Sequence, residues 1–199
     1  MPAPLRRLPS NSLHERAAAD LEFIRGAMER SASFTAVPGW GGMAMGAVGL
    51  AAAAGAHAAG RQAWLAVWLG AAFVAIAIGV VTMHRKAARE GLSLVAGTGR
   101  RFLLCLGPAL LAGALLTAGL ARAGRVELLP ATWLLCYGAG VVSAGVTSVP
   151  IVPATGGAFL VLGALTLAAP LSWGDALLAL GFGGVHLVAG FLVARRHGG

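Results

Sequence analysis

Long stretches of the chain carry no charged side chain, and their lengths are the first structural signal. Asp, Glu, Lys and Arg are absent from five stretches: 31–60, 62–84, 102–121, 128–174 and 176–194. A helix that crosses the hydrocarbon core of a bilayer needs about 20 predominantly apolar residues. These stretches have that length or a multiple of it. The pattern therefore predicts an all-α fold, a polytopic membrane helix bundle.

The longest stretch, 128–174, has room for two spans. Pro150 and Pro153 mark the break between them, because proline lacks an amide donor and punctuates helices. The first span is only weakly apolar, so its ends are the least well defined. Six transmembrane helices are predicted, near 39–59, 63–83, 102–121, 128–148, 150–170 and 175–194. The transmembrane domain as a whole is placed at 37–199.

The six spans form three hairpins, and two of these hairpins resemble each other weakly. The segment VPGWGGMAMGAVGLAAA (37–53) matches VPATGGAFLVLGALTLA (152–168) at six of 17 positions. Internal repeats of this kind are common in transporters. The alternative is that membrane helices rich in Ala, Gly and Leu share composition, and the sequence leaves both interpretations open.

Composition and charge support the membrane class and orient the chain. Charged residues make up 11% of the chain, against about 25% in a typical soluble domain. With a cytoplasmic N-terminus, only Arg61, Arg122 and Arg125 of the 15 basic residues lie outside. Cytoplasmic loops carry the excess of Lys and Arg, so both termini are predicted to be cytoplasmic. Topology therefore explains the net charge of +8, and no nucleic-acid partner is expected.

The remaining membrane signals agree with this orientation. Trp64, Trp133 and Trp173 fall near the predicted outer boundary and Trp40 near the inner one, as an interfacial belt requires. The basic cytoplasmic loop 84–101 is expected to set topology, and it would also suit anionic lipid headgroups. Arginine far exceeds lysine, and Ala and Gly dominate, which is typical of a GC-rich bacterial genome. The predicted location is the bacterial inner (cytoplasmic) membrane.

The N-terminal region is predicted to be soluble and to hold one helix. Residues 1–11 contain three prolines and two arginines and are expected to be a disordered basic tail. Residues 12–36 are expected to form a cytoplasmic amphipathic helix that opens on a capping box, Ser12 and Glu15. Its narrow apolar stripe comprises Leu13, Ala17, Leu21, Ile24 and Met28. The stripe either covers the inner face of the bundle, the favoured reading, or binds a cytoplasmic protein partner.

Chemistry-bearing residues inside the spans are few. The spans contain no Asp or Glu before Asp175, and no zinc-peptidase or nucleophile-elbow motif is present, so no enzymatic activity and no metal site is predicted. Cys105 and Cys136 lie at different depths and are not expected to form a disulfide. His57 lies near the outer boundary and is too far in depth from His186 to share a haem with it in one chain.

His186 is the histidine predicted to lie deepest within a span, about eight residues from the inner end of the sixth. It shares a helix face with Gly183 and Gly190, so it should point at a neighbouring helix rather than at lipid. Tyr137 and Ser143 lie at a similar depth and are possible hydrogen-bond partners. The ligand-binding candidates are therefore His186, Tyr137 and Ser143, although a structural hydrogen bond between helices is the favoured interpretation.

A second seam of small residues lies on the first span. Gly42, Gly46 and Gly49 recur at helical spacing and form a surface of the GxxxG type. Such a seam packs helices within one bundle or joins two copies of the chain, and the sequence does not separate these alternatives. A homo-oligomer is therefore one of the partners considered, beside membrane lipid.

The segments AVPGWGG, LPATWLLCYGAGVV and GFGGVHLVAG, together with the ending ARRHGG, resemble stretches of uncharacterised bacterial six-span integral membrane proteins with no assigned activity. The resemblance covers most of the chain and implies the fold only. The function expected is that of a non-enzymatic membrane subunit, sensor or binding protein without a cofactor. The alternatives are a small transporter with a midplane site around His186 and a haem-binding protein that uses His186 across a dimer.

Overall fold

The computed structural model describes residues 10–31 and 33–198, and helix dominates both ranges. The chain divides into two compact units, residues 1–32 and 33–199. Within the described residues, the second unit contains five helices that are long and apolar enough to cross a membrane. The predicted all-α fold is confirmed at this level. Residues 1–9 of the predicted disordered tail lie outside the described residues.

The first unit contains α1, Ser10–Ser31. The helix was predicted at 12–36, so both its predicted start and its predicted end lie further along the chain than the observed ones. Ser12 is therefore not the N-cap. Residues 33–38 are not helical, and Phe34 pairs with the connection at 146–150: its N–H donates to the Thr147 carbonyl at 2.7 Å, and its side chain is fully buried. The segment belongs to the second unit, although residues 33–36 were predicted as part of the soluble helix.

In the apolar stripe predicted on α1, the four described side chains are exposed, and that of Leu13 lies outside the description. Leu21 and Ile24 keep 68% and 51% of their surface accessible, and Ala17 is exposed as well. Phe23, which the stripe did not include, is also exposed and widens the apolar surface. An exposed apolar surface of this kind marks a contact site for protein or membrane.

The second unit begins with α2, Gly39–Arg89, which is a hairpin of two helices rather than one rod. Gly60 has φ 74° and ψ 178°, and the chain reverses there. The two halves run antiparallel, since a side chain at Gly41 would collide with Thr82 and one at Gly79 would meet Met45. Glycine adopts a positive φ without the strain that a Cβ would bring. The halves correspond to the predicted spans at 39–59 and 63–83.

Three further long helices follow: α3 is Gly97–Arg122, α4 is Leu129–Gly145 and α5 is Ile151–Ala168. Proline sets two of the helix starts. Pro130 lies in the first turn of α4 and Pro150 directly precedes α5, where the missing amide costs no helical hydrogen bond. These bounds agree with the predicted spans to within a few residues, except that α3 begins five residues before 102.

The last helix, α6, runs over Leu171–His197 and is irregular. It opens with a 3₁₀ turn, Leu171–Trp173, and continues as a short α-helical piece, Gly174–Leu178. A π-helical segment, Ala179–Val185, follows, and regular α-helix resumes at His186. A π segment widens the helix and shifts the direction of every later side chain. It therefore decides where His186 points.

The connecting segments collect at two ends of the bundle. One end, called the Gly60 end, holds the Gly60 turn, the α3–α4 connection (123–128) and the 3₁₀ turn of α6. The other, called the Lys86 end, holds residues 33–38, the α4–α5 connection (146–150) and the end of α6. Each end has its own buried apolar cluster, the first around Phe159 and Leu134, the second around Phe34 and Phe102.

The two predicted small-residue seams pack against each other. A Cβ on Gly190 would lie 2.5 Å from the Met43 nitrogen, and one on Gly42 would lie 3.1 Å from the Gly190 Cα. Further along, a Cβ on Gly46 would approach the Gly183 carbonyl oxygen to 2.9 Å. The backbones of α2 and α6 are thus in contact. Of the two alternatives for the seams, packing within one chain is the one observed.

Candidate functional site

His186 forms the centre of a buried cluster at the point where α6, α4 and α5 meet. Its side chain is 7% exposed. The Tyr137 hydroxyl oxygen lies 2.8 Å from His186 Nε2, which is hydrogen-bond distance. Tyr137 comes from α4, so this bond ties α4 to α6. The predicted partnership of these two residues is present.

Aromatic rings enclose the imidazole. The rings of Tyr137, Phe159 and Phe182 have centroids 5.3, 5.2 and 6.0 Å from that of His186. The Phe182 ring is nearly parallel to the imidazole, and the Phe159 ring is nearly perpendicular to it. These are the offset and edge-to-face geometries that aromatic pairs prefer. The rings pack around the imidazole, so the histidine does not border an open channel.

One polar atom of the cluster lacks a partner. His186 Nδ1 is buried and makes no hydrogen bond with the described residues. The carbonyl groups of Gly181 and Phe182 lie near the ring but do not meet hydrogen-bond geometry with Nδ1. Both belong to the π segment, where the hydrogen-bond register of the helix changes. An unpartnered buried polar atom is uncommon and costly in a protein interior.

Ser143 does not join this cluster. Its side chain is exposed, while Tyr137 faces His186 on the other side of α4. The two residues are six positions apart, and at about 100° per residue they point about 120° away from each other. The prediction matched Ser143 to His186 by depth alone and neglected rotation about the helix axis. Ser143 is therefore corrected to a surface position.

The other histidines and the cysteines form no second site in the described residues. His57 and His84 are exposed, and His197 is partly buried at the Lys86 end. Cys105 and Cys136 are both free. Among the described residues, no three His, Cys, Asp or Glu side chains come close enough to hold a metal ion.

A haem fits this arrangement poorly. An axial histidine presents a ring nitrogen to iron. Here Tyr137 holds Nε2, and Nδ1 is enclosed, so neither nitrogen reaches the surface of the chain. A haem shared with a second copy would require the surrounding rings to move away. The residues present do not support the dimer-bridging haem that the sequence left open.

A larger feature lies at the Gly60 end. A cleft of about 650 Å³ opens between the Gly60 turn, the α3–α4 connection and the start of α6. We call it the Gly60-end cleft. Its charged and polar lining comprises Arg61, Trp64, Glu127, Ser172 and Asp175, and its apolar lining includes Val126, Pro130 and Leu171. The sequence offered one signal for it: these charges interrupt apolar stretches on one predicted side of the membrane.

Two hydrogen bonds hold three of the cleft's side chains in place. The Trp64 indole N–H donates to Asp175 Oδ1 at 2.5 Å. Arg125 Nε donates to Glu127 Oε1 at 2.7 Å, which makes an ion pair that balances the Glu127 charge. Trp64 also stacks on Trp133, with ring centroids 5.5 Å apart and planes 6° apart. Two of the tryptophans predicted for the outer boundary are thus built into one stack beside the cleft.

Lys86 organises the opposite end of the bundle. The residue is only 6% exposed, and its ammonium donates to the carbonyl oxygens of Val37, His197 and Gly198 at 3.1, 2.8 and 2.7 Å. Glu90 Oε1 lies 3.9 Å from the same ammonium. A cation at a helix C-terminus satisfies free carbonyl groups and stabilises the helix dipole. In the sequence Lys86 counts only as an orientation signal, and its capping role emerges from the structure.

Comparison of the chain with protein-family models, with curated proteins and with solved structures found no match. The features of the molecule that bear on its function are the cluster around His186, the two ends of the bundle and α1.

Proposed function

We propose that this chain is a six-span inner-membrane protein of bacterial origin, with both termini cytoplasmic. The hairpin form of α2 supports the count of six, because it supplies two of the spans and α3–α6 supply the other four. The distribution of basic residues supports the orientation. On this topology the Lys86 end and α1 are cytoplasmic, and the Gly60 end faces outward.

We further propose a non-enzymatic role, as a membrane subunit, sensor or binding protein. The observation that carries this is the enclosure of His186. His186 is hydrogen-bonded to Tyr137 and packed among aromatic rings, so it stabilises the contact between helices. Because the bundle interior is packed in this way, we expect partners or ligands to bind at its ends, at α1 and in the Gly60-end cleft.

The contact surface for a cytoplasmic partner would be the exposed apolar side of α1. The test is co-purification from native membranes of the unmodified chain and of a Leu21→Glu/Ile24→Glu variant. A protein that is recovered in fixed stoichiometry with the unmodified chain, and is lost with the variant, supports the proposal. Glu22→Gln is the matched control, since Glu22 is an exposed residue of the same helix and its change adds no charge to the apolar surface.

A small transporter remains the second candidate, and two observations favour it. The π segment ends directly before His186, and π segments occur often at functional sites. The unpartnered Nδ1 is a polar atom that a substrate or ion could engage. Substrate flux into vesicles that His186→Ala abolishes, with protein folded and present in equal amount, would establish transport and refute the subunit role.

A further inference from the structure

The Gly60-end cleft has a specific pattern of charge. Arg125 pairs with Glu127, which leaves Arg61 and Asp175 as the cleft charges without an ion-pair partner among the described residues. The cleft therefore offers one cation and one carboxylate, and a ligand that complements both carries an anionic and a cationic group.

The position of the cleft limits the class of ligand. Leu171 lines it and is also an exposed apolar side chain, and Trp173 beside it is exposed too. Exposed tryptophan and leucine at the end of a spanning helix belong in the interfacial layer of a bilayer. Val126 and Pro130 add apolar lining. The cleft thus adjoins both water and lipid, where an amphiphile is at far higher local concentration than any soluble solute.

We infer that the Gly60-end cleft binds the headgroup of a zwitterionic phospholipid that carries a primary ammonium. The guanidinium of Arg61 binds the phosphate, and the carboxylate of Asp175 accepts hydrogen bonds from the ammonium. The Trp64 N–H holds Asp175 in place for this role. Phosphatidylethanolamine has this chemistry. Phosphatidylcholine lacks the N–H donors, and phosphatidylglycerol lacks the cation.

The inference rests on the proposed membrane location but not on the partner role of α1. The two therefore fail separately: a chain that inserts in bilayers and shows no headgroup preference would refute the inference alone. A chain that does not insert would refute the proposed location.

The experiment is native mass spectrometry of the full chain, titrated with the three lipids with matched acyl chains. We expect phosphatidylethanolamine to bind about tenfold more tightly than phosphatidylcholine, the factor expected of one charge-assisted hydrogen bond. Asp175→Asn should remove that preference, while its amide oxygen can still accept from Trp64. Arg61→Gln should weaken both phosphatidylethanolamine and phosphatidylcholine.

Matched controls keep the result specific. Arg122→Gln changes an exposed arginine at the end of α3 that does not line the cleft, and Asp20→Asn changes an exposed carboxylate on α1. Neither should alter the lipid preference. If Asp175→Asn proves unstable, Ser172→Trp fills the cleft from an exposed position and should abolish the preference on its own.

Three outcomes would overturn the inference: equal affinity of the unmodified chain for all three lipids, equal losses in the control variants, or a preference that survives Ser172→Trp. Free phosphoethanolamine serves as the soluble probe. If it bound as tightly as the lipid, the ligand would be a soluble zwitterion, and the assignment to phospholipid would be wrong.

Discussion

Gly42 and Gly190 lie face to face where α2 crosses α6, with so little space that a Cβ on Gly42 would come within 3.1 Å of the Gly190 Cα. Membrane helices gain little from apolar burial against one another, since lipid is equally apolar, so close backbone packing takes over that role. The contact between α2 and α6 should therefore depend on the absence of side chains at these two positions.

Gly190→Ala should lower the free energy of unfolding by about 1–3 kcal/mol, the usual cost of overpacking. The new methyl group would meet backbone atoms of Met43 and Gly39, which cannot rotate away. The measurement is equilibrium unfolding in mixed micelles with increasing SDS. Gly157→Ala is the control, because a Cβ there has no neighbour within 4 Å. A loss of equal size in both variants would contradict this account of the seam.

Tyr137→Phe should destabilise the chain by about 1 kcal/mol, a typical value for a hydrogen bond between membrane helices. The change keeps the ring that packs on Phe159 and removes only the hydroxyl that engages His186 Nε2. His186→Phe is the partner variant for a double-mutant cycle. We expect the double variant to be less destabilised than the sum of the single ones, and strict additivity would show that the hydrogen bond contributes nothing.

The sequence predicts some features of this cluster and not others, for a physical reason. The spacing of Gly183, His186 and Gly190 correctly predicted that all three lie on the face of α6 that packs against other helices. This was possible because helical periodicity depends only on neighbouring residues. The error at Ser143 arose because depth alone ignores which way a helix is rotated. The π segment has no composition signal that distinguishes it from α-helix, so the final direction of the His186 ring could not be derived.

The sequence also does not show which residues far apart along the chain come into contact. Lys86 and the His197 carbonyl are 111 positions apart, and only the folded chain brings them within 2.8 Å. The Gly60-end cleft is similar, since its lining comes from three separate connections. By contrast, charge-free stretches and prolines placed the helices themselves well, because span length and helix starts depend on neighbouring residues alone.

Lys86→Met should lower the free energy of unfolding by about 2–3 kcal/mol, since hydrogen bonds to charged groups are among the stronger ones. Methionine keeps the apolar stem but leaves the carbonyl groups of His197 and Gly198 without their donor. Limited proteolysis at the C-terminus should also become faster, because that end loses its tether.

The matched control for Lys86 is its neighbour. Arg85 is exposed, and Arg85→Met should stay within about 0.5 kcal/mol of the unmodified chain. If both variants lost stability equally, the effect would come from the total charge of the Lys86 end rather than from the capping of α6.

Gly60→Ala should destabilise the hairpin of α2 by about 1–3 kcal/mol, the cost of holding a residue with a Cβ at a positive φ and an extended ψ, a backbone region that essentially only glycine adopts. The φ of Gly60 is 74°, and a Cβ there would have no neighbour within 4 Å, so backbone strain is the only cost. Gly70→Ala, equally free of neighbours but helical, should leave stability unchanged or raise it, because alanine favours helix over glycine. The same SDS titration compares them. If Gly60→Ala were as stable as Gly70→Ala, the turn at residue 60 would not require glycine, and the proposed count of six spans would lose this support.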